Sequence, residues 1–493
     1  MSYQVPQEYP TLPSMAIPHA LVGDDIKQFK GARNVIKYLP SASGSTVGPN
    51  SSLLFTIPAE PYGYIKPNSM YLRGTVSIIG DTGHRGLTNS AGTTAAVGDA
   101  TTSYVSFAGN TFTPTTATNA AAFNGFHGTG GASSVFNRIT VTLPGGCAMS
   151  YNQQQHYRNA VSPHTLDAAY FNDLRVMESA GCTFPLEPTA KTGASVYVVP
   201  AATATAIKEI NFCSPVDVPL FNADAAFPML LCSQGITMEI VTSSLSDAIY
   251  LRDGTLTGGN ATARLASVSS FAISNLALVY EVIQVTPEFK NALVASKAGS
   301  PYVIHVDDRM VIGPIGGGSA TTRVNVGVGL SSLKSVLFAE ALIGTGDVKA
   351  AKVYPVNGLT AYNIYRDGQQ ISIPNTTSED ICFMEMQRAI GRVNDSQTSS
   401  MIQAVTTSQA LGVRSTYSEG GFLLGCSFQC IDDWSFSARG AGCDQLAVEV
   451  IKGTIDGPKW GSTTAAAASN LYIFCMYDAV VVILGDGTCQ VRK

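Results

Sequence analysis

The chain has 493 residues and a mass of 51.7 kDa, too long for one ordinary domain of ~100–200 residues and long enough for two β-sandwiches of ~200–250. Hydrophobic residues make up 45% and aromatics 9%, which excludes a disordered chain, while charged residues reach only 13%, against ~25% in ordinary soluble domains. A formal charge of −5 leaves no basic footprint for phosphates, which argues against nucleic-acid recognition as the main task, and so sparse a charge cover means either a surface rich in Ser, Thr, Asn and Gly or one buried against other subunits.

Prolines at 6, 10, 13 and 18 make residues 1–25 an extended N-terminal arm, since proline fixes φ and lacks the N–H a helix or central strand requires. A first sandwich is expected over 26–285. Lys27, Lys30, Arg33 and Lys37 against Asp24 and Asp25 fit a solvated lead-in and first strand better than a nucleic-acid arm. Ser69–Ile79 alternates, with Met70, Leu72, Val76 and Ile78 on one face and Tyr71, Arg73, Thr75 and Ser77 on the other, the pattern of a half-buried strand. Residues 81–133 form a long insert in which the formal charges are Asp81, Arg85 and Asp99. Its Tyr104, Phe107, Phe112, Phe123 and Phe126 predict a segment ordered by packing. Val135–Leu143 alternates again and is stopped by Pro144-Gly145-Gly146; His164–Met177 has helical spacing of Leu166, Tyr170, Leu174 and Met177. Strands are then expected at Ile207–Cys213, Met229–Thr242 and Phe271–Val285.

Thr286-Pro287-Glu288 places Thr at an N-cap and Pro at the first helical position, which opens a short helix to about Ala295 within a linker at 286–300. The second sandwich, 301–493, repeats the order of the first. Strands are expected at Tyr302–Ile312, Thr322–Val328 and Leu333–Leu342, followed by a Gly-rich insert near 344–360. Tyr362–Ile373 returns as a strand with Asp367-Gly368 at a turn. A helix starts at Thr377, with Asp380 in the capping-box position, and ends at Gly391; strands resume at Phe422–Ile431, Gln445–Ile455 and Leu471–Leu484. The fold class is therefore all-β, two tandem sandwiches with short helices in the connections.

Chemistry finds little support. His19, His84, His127, His156, His164 and His305 stand far apart, without HExxH, and Cys426, Cys430 and Cys443 sit where core packing would place them, so no metal is expected. Gly316-Gly317-Gly318-Ser319 lacks the following Lys of a phosphate-binding loop and reads as a turn. Asp307-Asp308 and Asp432-Asp433 are the acidic doublets that might serve glycoside hydrolysis, yet doublets point to opposite faces of a strand, and Trp434 fits core or interface better than a sugar platform. No catalytic, cofactor-binding or metal-binding residue is assigned, and the protein is not expected to be an enzyme. The first residues, MSYQVPQEYPTLPS, lack the basic-then-apolar pattern of a signal peptide, so the ten cysteines are expected as buried free thiols. Leu471–Leu484, interrupted by Asp478, is too short for a membrane helix.

Several stretches resemble one family. Val135–Met177 with its segment DAAYFNDL (167–174), PMLLCSQGITMEI (228–240), LALVYEVI (276–283), SLKSV (332–336) and LYIFCMYDAVVVILGDG (471–487) resemble, in order and spacing, the double jelly-roll major capsid proteins of icosahedral DNA viruses, the large eukaryotic viruses, virophages and polinton-like elements. The resemblance spans most of residues 28–493. It implies two upright eight-stranded jelly rolls per chain, a homotrimeric pseudo-hexagonal capsomer, and location in the virion. Neighbouring trimers, penton and minor capsid proteins would be the partners, and an inner membrane is compatible with it. It also implies that 81–133 forms the outward tower and that the arm lies beneath the tile. The alternative is a β-sandwich adhesin or carbohydrate-binding protein, which the lack of a secretory signal and of disulfide logic disfavours.

Overall fold

The computed structural model describes residues 32–42, 44, 46–80, 104–107, 132–165, 177, 208–223, 225–244, 248–252, 268–297, 300–317, 321–342, 354, 356–372, 378–392, 422–430, 439–453 and 468–493. The arm at 1–25 and most of the insert 81–133 lie outside them. So do Asp432, Asp433 and Trp434.

In the first half the strands are β1 (Arg33–Pro40), β2 (Thr46–Val47), β3 (Ser52–Ile57), β4 (Gly63–Ile65), β5 (Tyr71–Gly80), β6 (Tyr104–Phe107), β7 (Phe136–Thr142), β8 (Ala148–Tyr151), β9 (Lys208–Pro215), β10 (Ile236–Thr242), β11 (Ile249–Arg252) and β12 (Val268–Gln284). Between β8 and β9 lie helices α1 (Gln154–Ala160) and α2 (Ser162–Thr165), and α3 (Pro219–Asn222) follows β9. One sheet runs β1-β12-β5-β9 with β2 and β4 also on β12; the second runs β3-β10-β7-β8. Alternation explains why they face each other. Leu53, Phe55 and Ile57 of β3, Ile236, Met238 and Ile240 of β10 and Ile139 and Val141 of β7 are buried, and they meet Leu72 and Val76 of β5 and Phe271, Ile273 and Leu278 of β12 in one core. Within the insert, β6 pairs antiparallel with β11, so its Tyr104–Phe107 segment is held by backbone hydrogen bonds.

Helix α4 (Pro287–Lys297) leads into the second half. It starts as expected: the Phe289 N–H donates to Thr286 Oγ1 at 3.4 Å. The strands that follow are β13 (Tyr302–Gly317), β14 (Thr322–Leu342), β15 (Leu359–Arg366), β16 (Gln369–Gln370), β17 (Leu424–Ser427), β18 (Ala441–Lys452), β19 (Ser469–Ile483) and β20 (Cys489–Arg492), with helix α5 (Glu379–Ala389) before β17. They hydrogen-bond in the order β13-β19-β14-β18-β15-β16, with β17 on β14 and β20 on β19.

Several elements differ from expectation, each for a local reason. The two strands expected at 322–328 and 333–342 are one 21-residue strand, β14. Its ladder slips between Gly327 and Leu330 and again before Leu333, with Gly329 at φ +56°, so its first part pairs with β18 and its last part with β19 and β17. The bulge bends the strand and changes its partner on one side without ending it. The strand expected from Met229 starts only at Ile236, because Met229–Leu231 forms a 3-10 turn that buries Met229 and Leu230. The turn expected at Asp367-Gly368 is present and joins β15 to β16 as a hairpin, with both residues at positive φ, 48° and 83°, as a tight two-residue connection requires. Helix α5 has Ser378, not Thr377, at its N-cap, with no side-chain cap bond, and Gly391 ends it at φ +72°. Thr75 and Ser77, expected outward, are buried, and Thr75 Oγ1 bonds Asn211 Oδ1 at 2.7 Å.

Candidate functional site

The side chains with most polar chemistry collect where the two halves meet, and strand β13 brings them there. It reads Asp307, Asp308, Arg309 in a row, so alternation sends Asp308 inward and Asp307 outward. Arg309 crosses into the first half. Its Nη1 donates to Asp217 Oδ1 at 2.9 Å, and its Nη2 donates to the Asp217 carbonyl at 2.9 Å and to Gln154 Oε1 of α1 at 3.1 Å. The guanidinium lies 3.9 Å from the Tyr157 ring centroid and 5.7 Å from that of Tyr151. Burial opposes its charge, but Asp217 and the two tyrosines overcome that penalty and raise its pKa above the ordinary arginine value. It is a desolvated cation held by an anion and an aromatic floor.

Further contacts make this junction continuous. The His156 ring stacks on Tyr472 of β19 at 3.8 Å, and its Nδ1 shares a hydrogen bond with Tyr354 Oη at 2.9 Å. Tyr157 meets Phe474 edge to face, the Arg392 guanidinium donates to the Thr165 carbonyl, and the Cys489 N–H donates to the Pro144 carbonyl at 2.7 Å. Beneath it, cross-strand register sets Asp307 of β13 opposite Asp478 of β19. Two carboxylates so placed repel, and the structure answers with two cations: Arg439 bonds both, and Lys334 Nζ lies 2.7 Å from Asp307 Oδ1. Burial pushes the Asp478 carboxyl up, yet hydrogen bonds from Ser332 Oγ and from the Arg439 N–H and guanidinium, with the charge of Lys334, bring it below the usual carboxylate range. Asp308 accepts from Tyr477 Oη at 2.7 Å, and burial, then Asp308, raise that phenol's pKa.

This arrangement can hold two sandwiches in a fixed orientation. The Asp307-Asp308 doublet weighed for hydrolysis is thus an ion-pair and hydrogen-bond element. His156 and His164 are buried and His305 is exposed, while His19, His84 and His127 lie outside the described residues. Among the described residues no three His, Cys, Asp or Glu side chains group as metal ligands would, and no helix is long and apolar enough to cross a membrane. The described cysteines are free thiols, but not all are buried: Cys147, Cys213 and Cys232 are half-buried and Cys430, just past the end of β17, is exposed. Sequence reasoning missed α1, whose Gln154, Gln155 and His156 are polar yet buried, so hydropathy gives no periodic signal. An arginine inside the apolar run of β13 was the available clue to the junction.

A second feature lies on the outside. In β1, Ile36 is 70% and Tyr38 59% exposed. Tyr38 sits opposite Val279 of β12, which sits opposite the 37%-exposed Tyr71 of β5, so the three share one face of the sheet.

No protein-family model and no curated protein matches the sequence. Solved structures do match, over nearly the whole chain. The capsid protein VP54 of PBCV-1, fitted into a reconstruction of the virophage Sputnik, aligns with TM-score 0.55 and 11% identity over 94% of this chain and 97% of its own. The cryo-EM structure of the Sputnik virophage aligns at 0.54 and 13% over 94% and 89%, and the Faustovirus major capsid protein at 0.51 and 11% over 94% and 92%. The fold is the double jelly roll of these major capsid proteins. The first roll is formed by the β1- and β3-containing sheets and the second by β13–β20, so the polar cluster around Arg309 is the inter-roll junction. The structural neighbours are coat proteins and not enzymes.

Proposed function

We propose that this chain is the major capsid subunit of an icosahedral DNA virus, resident in the virion, and that three copies form a pseudo-hexagonal tile of six jelly rolls. The observation that carries the reading is the double roll itself, matched over 94% of this chain and 97% of VP54. The chain divides into an arm at 1–25, a first roll at 26–285, a linker helix at 286–300 and a second roll at 301–493. Two further features support it. Charged residues are few, which lowers the desolvation cost of close subunit contact, and Ile36, Tyr38 and Tyr71 leave an apolar face on the side of the first roll. Neighbouring tiles, penton and minor capsid proteins are the partners. Sedimentation of the purified chain at micromolar concentration tests this: a stable trimer is expected, burying more than ~2,000 Å² per subunit pair, and a monomer refutes it.

A further inference from the structure

Residues 231–233 of the first roll and 487–489 of the second lie against each other at the edge of the inter-roll junction. The Ser233 N–H donates to the Gly487 carbonyl at 3.0 Å, and Ser233 Oγ donates to the same oxygen at 3.2 Å. The approach is so close that a Cβ on Gly487 would stand 2.5 Å from Ser233 N and 2.9 Å from the Leu231 carbonyl oxygen; Gly487 itself is held at φ +79°. The backbones therefore touch, and this brings together two sulfurs from residues more than half the chain apart. Cys232 is half-buried and Cys489 buried, and the two thiols are near enough to influence each other's ionisation. No third metal-ligating side chain joins them among the described residues, so a metal does not explain the pairing.

We infer that Cys232 and Cys489 are an oxidisable pair that closes into a disulfide stapling the first jelly roll to the second. The inference stands on the junction geometry and holds whether or not the capsid reading does. The oxidant is a small-molecule disulfide, glutathione disulfide being the simplest. It forms a mixed disulfide first on Cys232, the reachable sulfur; Cys489 then attacks that sulfur and expels the second glutathione. In sum two protein thiols and one glutathione disulfide give one Sγ–Sγ bond and two glutathione thiols. The two S–H protons end on the glutathione sulfurs, and two electrons reduce the bond that breaks. Such a bond closes a very long loop, so it restrains the unfolded chain strongly while demanding little movement where the backbones already touch. A protein that folds in a reducing compartment would have its rolls docked first and locked on reaching an oxidising one.

The experiment uses the full chain, folded, with and without glutathione disulfide, followed by alkylation in denaturant without reductant and mass spectrometry of the digest. Oxidation should remove two alkylatable thiols per chain and yield a peptide carrying Cys232 joined to one carrying Cys489, reversed by dithiothreitol. The wild-type thermal midpoint should rise by several degrees on oxidation, with no rise for Cys232→Ser or Cys489→Ser and a normal rise for Cys430→Ser. Both residues recovered fully alkylated, glutathione retained on Cys232, or either cysteine linked to a different partner would each overturn the inference.

Discussion

Lys452 enters the second roll with its side chain wholly buried and its Nζ 2.7 Å from Glu340 Oε2. The carboxylate oxygen also accepts from Asn357 Nδ2 at 2.6 Å and Ser469 Oγ at 2.9 Å, and Lys452 Nζ donates to Ser469 Oγ at 3.0 Å. Such a pair adds little net stability over a well-packed apolar one, but removing one partner leaves a charge stranded in a low dielectric. Lys452→Met is expected to cost ~3–5 kcal/mol in denaturant unfolding, whereas Lys452→Met with Glu340→Gln, which keeps the acceptors for Asn357 and Ser469, should lie within ~1–2 kcal/mol of wild type. A double variant as unstable as the single one would show that the charge balance is not what matters. At this scale the sequence was partly legible. It showed that Asp307 and Asp308 point to opposite faces, because strand alternation is local. It did not show that Asp478 lies opposite Asp307, or that Glu340 meets Lys452, because those pairings depend on the register of distant strands.

At the scale of elements, alternation carried most of the information. Val135, Ile139, Val141 and Leu143 are buried as their spacing predicts, and the Asp-Gly hairpin and the Thr-Pro helix start are where turn and cap chemistry place them. The failures have one cause, that periodicity cannot see what covers an element. Strand β14 was divided after Val328 because a glycine interruption looks the same whether the chain stops or bulges, and α1 was missed because its polar residues are buried, Gln154 and His156 against the second roll and Gln155 against Ser243. Strand β1 offers the opposite case, side chains of Ile36 and Tyr38 that the other described residues leave exposed. In the proposed trimer these side chains are buried by a second copy, and an ammonium group there would have to be desolvated. Ile36→Lys with Tyr38→Lys should therefore shift sedimentation from trimer toward monomer. At 70% and 59% exposure these positions should leave the thermal midpoint of the subunit nearly unchanged. Trimers of wild-type stability would place the subunit contact on another face.

For the whole molecule, the division into two rolls was legible as a repeated order of strands and helices, and the resemblance gave that order a family. The inter-roll junction was not legible, since its residues come from α1, β13, β19 and β20 and carry no motif. Its density of contacts has a mechanical meaning. Arg309 in its aromatic and anionic cage, His156 stacked on Tyr472, and the backbone contacts at Gly487 and Cys489 make the two rolls one body, and the proposed trimer would need its six rolls at fixed angles for its edges to match its neighbours. The most direct measurement is therefore single-particle imaging of the purified full chain. The account predicts particles with a hexagonal outline and threefold symmetry, each containing three chains and six rolls. Isolated two-roll particles, or closed rings of any other order, would contradict it.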